Sequence, residues 1–295
     1  MSIDSVQAEL IAVLVAVTNG DPRVLTVESG FGLPSGQLEP GHRSLQTGLR
    51  AWVERQTHHP LGYVEQLYTF ADQQRGHHSR SVSISYLALS REAASTYPDA
   101  GWVSWYDYLP WEDRRQGTRL MQDIVLPRLL EWCGTSAERQ QRMARLFGHE
   151  GRRWNDELVL ERYELLFAAG LISEALRGQA TAHPPLPGLE MTHDHRRILA
   201  TGIARLRAKI KYRPVVFELL AKSFTMLELQ QTMEALAGQE LHKPNFRRLI
   251  AQQELVEETG EFTSGLAGRP AKLFRFRPSV IEERSLSGTK LPLVK

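Results

Sequence analysis

PVVFELLAKSFTMLELQQTMEALAGQELHKPNFRRLIAQQELVEETGEFTSGLAGRPAKLFRF, residues 214–276, decides the fold of the C-terminal part of the chain. Phe217, Leu219 and Leu220 fit a short first helix. Thr225 and Glu228, three apart in TMLE, have the spacing of a capping box and open a second helix, which Gly238 ends. HKPNFRRLIAQQ is a third helix with Pro244 in its first turn. Its apolar side is Phe246, Leu249 and Ile250, which leaves Lys243, Asn245, Arg247 and Arg248 off the core face. Two strands, LVEETGEF and AKLFRF, flank the Gly-rich tip TSGLAGRP. Three helices and a β-hairpin make a winged helix-turn-helix, which we place at residues 213–281, with 282–295 as a flexible tail. In that arrangement the third helix enters the major groove, where Asn and Arg pair with base edges. Arg269 and Lys272, at the wing, are placed to reach phosphate or the minor groove. Winged helices also serve as protein-interaction modules.

Charge favours DNA over that alternative. The chain of 295 residues has a net charge of only +2, yet residues 196–277 hold 15 Lys/Arg against 8 Asp/Glu, a local +7 that leaves the remainder near −5. A basic block beside an acidic one suggests that one domain meets a polyanion and the other does something else. A content of 42% hydrophobic and 24% charged residues is that of a soluble protein of about two domains. No apolar run is long enough for a membrane span, so no membrane partner is expected. Acids precede the apolar start AELIAVLVAV, which reads as a buried strand and not a signal peptide. The single Cys133 excludes an internal disulfide and a cysteine-based zinc site, and a cytoplasmic protein is the simplest expectation.

Upstream, AELIAVLVAV and RVLTV around TNGDP read as a β-hairpin, and YVEQLYTFAD and SVSISYLALS as further strands. Between them, Leu45, Leu49, Trp52 and Val53 form one stripe of a helix with Ser44 placed to cap it. Residues of about 106–180 read as a helical insertion, crowded at its start with Trp102, Trp105, Tyr106, Tyr108 and Trp111, a pattern of core or interface. RGQATAHPPLPG is the expected boundary. Leu199, Ile203, Leu206 and Ile210 then form the stripe of a basic helix, 188–212, suited to its own domain or to a second copy. His193 and His195 at its start do not share a helix face, so helix-start polarity is preferred to a metal site. The fold class is therefore α+β, with an N-terminal domain of mixed helix and strand at 1–187.

The loop-helix PSGQLEPGHRSLQTGLRAWVERQT, the strands LYTFAD and SVSISYLAL, and the spacing of FT-LELQ, NFRR and GRPA-L-RF over about 65 residues carry a resemblance. The chain resembles the Nudix-related transcriptional regulators of NAD metabolism, the NrtR family, and most of all those of NadQ type. The resemblance implies a Nudix-like α/β/α sandwich before the winged helix. It implies a dimeric repressor of NAD-biosynthesis genes on palindromic operator DNA, with no required cofactor and an adenine nucleotide effector, ATP, NAD or ADP-ribose; the NadQ-like layout tilts this towards ATP and NAD. The Nudix signature is a Gly, five residues, a Glu, seven residues, then Arg-Glu-X-X-Glu-Glu. Gly36, Arg50 and Glu54 keep it, whereas His42, Ala51 and Arg55 replace carboxylates. Mg²⁺ wants carboxylate oxygens in an octahedral shell, and the three helix positions here sum to zero charge, so neither a metal site nor catalysis is expected. Tyr68, Phe70 and Arg80 are candidate nucleotide contacts, although strand aromatics also serve as core. Arg50 and Glu54 are candidates too, although four residues apart they are equally placed to bridge each other. The alternative is a Nudix hydrolase of nucleoside diphosphate-linked substrates using Glu39, Glu65 and Asp72.

Overall fold

Gln7–Thr18 (β1) and Asp21–Thr26 (β2) form the expected hairpin, in register from Val15 opposite Val24 to Thr18 opposite Asp21. Asn19 and Gly20 both have positive φ, as a two-residue hairpin turn that follows the twist of the strands requires. The computed structural model describes residues 7–71, 81–92, 97–178, 183–212, 215–263 and 270–279. Ser35–Gln37 (β3) pairs with the beginning of β1, Tyr63–Phe70 (β4) pairs with Ser81–Leu89 (β5), and Gly101–Ser104 (β6) pairs with β2. β5 runs parallel to β1, giving the order β4-β5-β1-β2-β6 with β3 attached to β1. The continuous apolar run of β1 follows from its central place, because both of its faces are covered. Leu10, Ala12 and Leu14 face one layer with Leu25, Tyr86 and Ala88; Ile11, Val13 and Val15 face the other.

Leu45–Thr57 (α1) supplies the first layer through Leu49 and Val53. It starts at a closed capping box, Ser44 Oγ accepting from the Thr47 amide and Thr47 Oγ1 from the Ser44 amide, and stops at left-handed His58. The second layer is the helical section: Trp105–Tyr108 (α2), Leu126–Cys133 (α3), Ala137–Phe147 (α4), Val159–Ala168 (α5) and Ser173–Leu176 (α6). Trp105, Tyr106, Tyr108 and Trp111 are core residues here.

His195–Tyr212 (α7) belongs to this same layer. Leu199, Ile203 and Leu206 have no exposed surface, and a Cβ on Gly202 would come within 2.8 Å of Val13. The stripe that the sequence left open to a second copy is therefore buried inside the chain. β6 and β3 were not legible, since each is a short segment that becomes a strand only by completing the edge of a longer one.

The C-terminal unit follows the expected order from its second helix onward, but the expected first helix is only a short 3-10 turn, and the chain then extends into a strand the sequence did not announce. A 3-10 turn at Val215–Glu218 leads to Phe224–Thr225 (β7), Met226–Ala237 (α8) and Lys243–Gln252 (α9), then Val256–Phe262 (β8) and Lys272–Phe276 (β9). The small sheet has the order β7-β9-β8. One apolar cluster runs from Ile11 and Val13 through the helical section to Phe246 and Phe276, so the two units share a core. Among the described residues no helix is long and apolar enough to cross a membrane.

Candidate functional site

α9 is held to its unit by Phe246 and Ile250, four apart and both buried. Leu249, expected beside them, is 49% exposed, since the covered stripe of α9 is no wider than the i, i+4 pair. Lys243, Asn245, Arg247 and Arg248 are all exposed. Among the described residues none of the three cations in this set makes an ion pair, so the helix presents unneutralised charge. The wing differs. Lys272 holds both carboxylate oxygens of Glu258 at 2.8 and 2.9 Å, Arg275 holds Glu257 at 2.7 Å and Arg277 holds Glu254 at 3.5 Å. The wing cations are thus largely self-neutralised, and Arg269 lies outside the described residues.

The loop before α1 is bound tightly to the helix. A Cβ on Gly36 would lie 2.1 Å from the Trp52 ring, so only glycine lets that indole rest on the strand. Trp52 Nε1 donates to the Gln37 carbonyl at 2.9 Å, and the Gln56 amide exchanges two hydrogen bonds with the Ser35 backbone at 2.9 and 3.0 Å. Arg55 lies over Trp52 at 4.4 Å and 3.8 Å from Glu39, which also meets His42 at 3.6 Å. Arg50 does not bridge Glu54; its guanidinium donates to the Leu61 and Gly62 carbonyls and fixes the exit from α1. Glu54 is exposed. Of the four positions where the Nudix signature has Glu, only 54 offers a carboxylate here, and Arg55 is beside it. This donor set does not fit a magnesium ion, which is held by several hard oxygens.

Of the five nucleotide-contact candidates, the four that are described are not brought together. Arg50 and Glu54 belong to α1, on one face of the sheet. Phe70 is buried in the opposite layer, with Arg197 of α7 over its ring at 4.7 Å and Tyr68 against it at 4.9 Å. Tyr68 remains 59% exposed, the accessible edge of that pair. Arg80 and Asp72 lie outside the described residues. His195, read as helix-start polarity, is a buried acceptor instead: its Nδ1 takes the Leu33 amide at 3.0 Å and ties the loop before β3 to α7. Burial, with His193 adding to it, pushes its pKa down to about 4, so the ring is neutral at pH 7. Nothing in the sequence marks that role, because the partner is a backbone amide 162 residues away.

Residues 216–276 match the family model described as the NrtR DNA-binding winged helix domain. The C-terminal unit is an NrtR winged helix. A relative from Acinetobacter baylyi, the "ADPR responsive transcriptional repressor NtrR", is 39% identical over 89 residues, which is 30% of this chain and 35% of that protein. The match therefore spans about a third of the relative's length. In fold, the chain is similar to Shewanella oneidensis NrtR, solved in complex with a 27mer DNA, over 93% of this chain and 95% of that one, at 21% identity and a TM-score of 0.57. A MutT/nudix family protein from Enterococcus faecalis is similar over 94% of this chain and 88% of its own, at 14% identity and a TM-score of 0.54. A Nudix-like unit joined to an NrtR winged helix is thus the fold of nearly the whole chain.

Proposed function

We propose that the protein is a transcriptional repressor, acting in the cytoplasm, whose NrtR winged helix binds operator DNA and whose Nudix-like unit senses an adenine nucleotide without cleaving it. The observation that carries this is α9: a helix in the groove-reading position with Lys243, Asn245, Arg247 and Arg248 exposed and its cations unneutralised. ADP-ribose is the leading effector, because the Acinetobacter relative is ADPR responsive; ATP and NAD are the comparison ligands. Tyr68 is the accessible aromatic for an adenine, and the resemblance points to genes of NAD metabolism and a homodimer on a palindromic site. Loss of hydrolysis is supported by the donor chemistry of α1, where Arg55 replaces a carboxylate and lies over Trp52. A regulator that consumed its signal would report it poorly.

Band shifts on promoter fragments of NAD-metabolism genes, at several salt concentrations and with each nucleotide in turn, test the reading. Retained binding to one fragment that changes about 5–150-fold with ADP-ribose fits a coupling of about 1–3 kcal/mol. The absence of any shift would return the winged helix to the class of protein-interaction modules. Release of AMP from ADP-ribose or NAD with Mg²⁺ or Mn²⁺, abolished by Glu54→Gln, would overturn the non-hydrolytic sensor.

A further inference from the structure

The carbonyls of a helix's last turn have no partners within the helix. At the end of α8 they find them across the chain. The Tyr106 hydroxyl donates to the Ala235 carbonyl at 2.6 Å, Arg207 Nε to Leu236 at 2.9 Å, and the Arg114 amide to Gly238 at 2.8 Å. The approach is so close that a Cβ on Gly238 would lie 2.3 Å from the Glu112 carbonyl oxygen.

Behind these donors is a buried charge cluster. Glu112 accepts from Arg162 Nε at 2.6 Å and Nη2 at 2.8 Å, and from Arg207 Nη1 at 2.6 Å. All three side chains have 0% exposure. Arg162 also donates to the carbonyls of Leu146 and Asn155, and Arg207 to that of Asp156, so the guanidinium groups are held from several elements at once. Apolar residues of the same volume would join the two units at least as strongly. What a directional cluster adds is a single permitted placement of α8.

We propose that Glu112, Arg162, Arg207 and Tyr106 form a joint that fixes the winged helix in one orientation on the Nudix-like unit, and that α7 relays the state of that unit to it. Arg207 is on α7, ten residues from Arg197, which covers Phe70; at 1.5 Å per residue the two are about 15 Å apart along one rigid helix. A ligand at the Tyr68 edge therefore acts on the same element that grips α8. These four are positioning residues. The relay rests on the repressor reading; the joint does not.

Removing Glu112 or Arg207 leaves a buried charge unpaired and threatens folding, so the test is Tyr106→Phe in the full chain, with Arg205→Ala, half exposed on the same helix, as control. Hydrogen exchange of the Arg114 amide and of residues 235–241 reads the joint. We expect it to be about tenfold faster in Tyr106→Phe, the effect of losing about one buried hydrogen bond, and unchanged in the control. The ratio of operator affinities without and with ADP-ribose reads the relay. It falls towards one in Tyr106→Phe, while ADP-ribose affinity measured without DNA stays within about twofold. Unchanged exchange overturns the joint, whatever the DNA result. Faster exchange with an unchanged ratio overturns the relay. A wild-type protein whose DNA binding ignores ADP-ribose sinks the repressor reading instead, and the exchange arm alone then decides the joint.

Discussion

Arg247 and Lys272 have the same charge and opposite settings. Arg247 is exposed on α9 with no ion-pair partner among the described residues, whereas Lys272 is already held by Glu258. Arg247→Ala is expected to weaken operator binding by about 1–3 kcal/mol and random-sequence binding by less, if the side chain reads a base. Lys272→Ala is expected to weaken all sequences alike, and to lower the salt slope by less than the roughly 0.9 of a full phosphate contact, because Glu258 competes for it. Titrations on operator and random duplexes at three salt concentrations separate the two; equal losses on both duplexes for both variants would remove base reading from Arg247.

His195 sets a second expectation at this scale. Its folded pKa lies below the ordinary value, so the unfolded chain binds the proton more readily. The stability it contributes is complete above about pH 6.5 and is lost as pH falls towards 4. From pH 7.5 to pH 5 the loss is about 2 kcal/mol on this linkage. Urea unfolding at both values should give a smaller difference for His195→Gln than for the wild type; an equal difference would place the acid sensitivity elsewhere.

Among the elements, α1 and α8 were the most legible, α1 from its apolar stripe and the Ser44 cap, α8 from its capping box and the left-handed Gly238 that ends it. The box on Thr225 with Glu228 closes as the spacing predicts, and Ser44 caps α1 as expected, with Thr47 completing a second box that only the structure reveals. What surrounds a helix was less legible. The signature Gly36 is required in this chain by the Trp52 ring resting on it, a contact between β3 and α1 that no local pattern encodes. Gly36→Ala should cost about 1–3 kcal/mol in chemical denaturation, as overpacking does, and the additional change Trp52→Ala should recover part of it. An Ala at 36 with wild-type stability would mean that the indole moves aside freely.

For the whole molecule, the shared apolar core and the Glu112 cluster predict one cooperative unfolding transition for both units. Glu112→Gln leaves Arg162 and Arg207 without their counter-charge and is expected to cost about 3–5 kcal/mol, with the winged helix losing structure together with the sheet. Two separate transitions in urea, or a variant within about 1 kcal/mol of wild type, would show that the units stand apart.

The sequence by itself determined the winged helix, the sheet strands long enough to alternate or to be buried on both faces, and the absence of a carboxylate at three of the four positions where the Nudix signature has Glu. These depend on spacings within a few residues, where periodicity, capping and charge act locally. Only the tertiary structure decided that the α7 stripe is internal, that Arg50 holds backbone carbonyls, that Tyr68 and Glu54 lie on opposite faces of the sheet, and that Glu112 meets Arg162 and Arg207. Each of those depends on partners at least 11 residues away in the sequence, and the chemistry of an arginine or a tyrosine does not say which distant group the fold will bring to it.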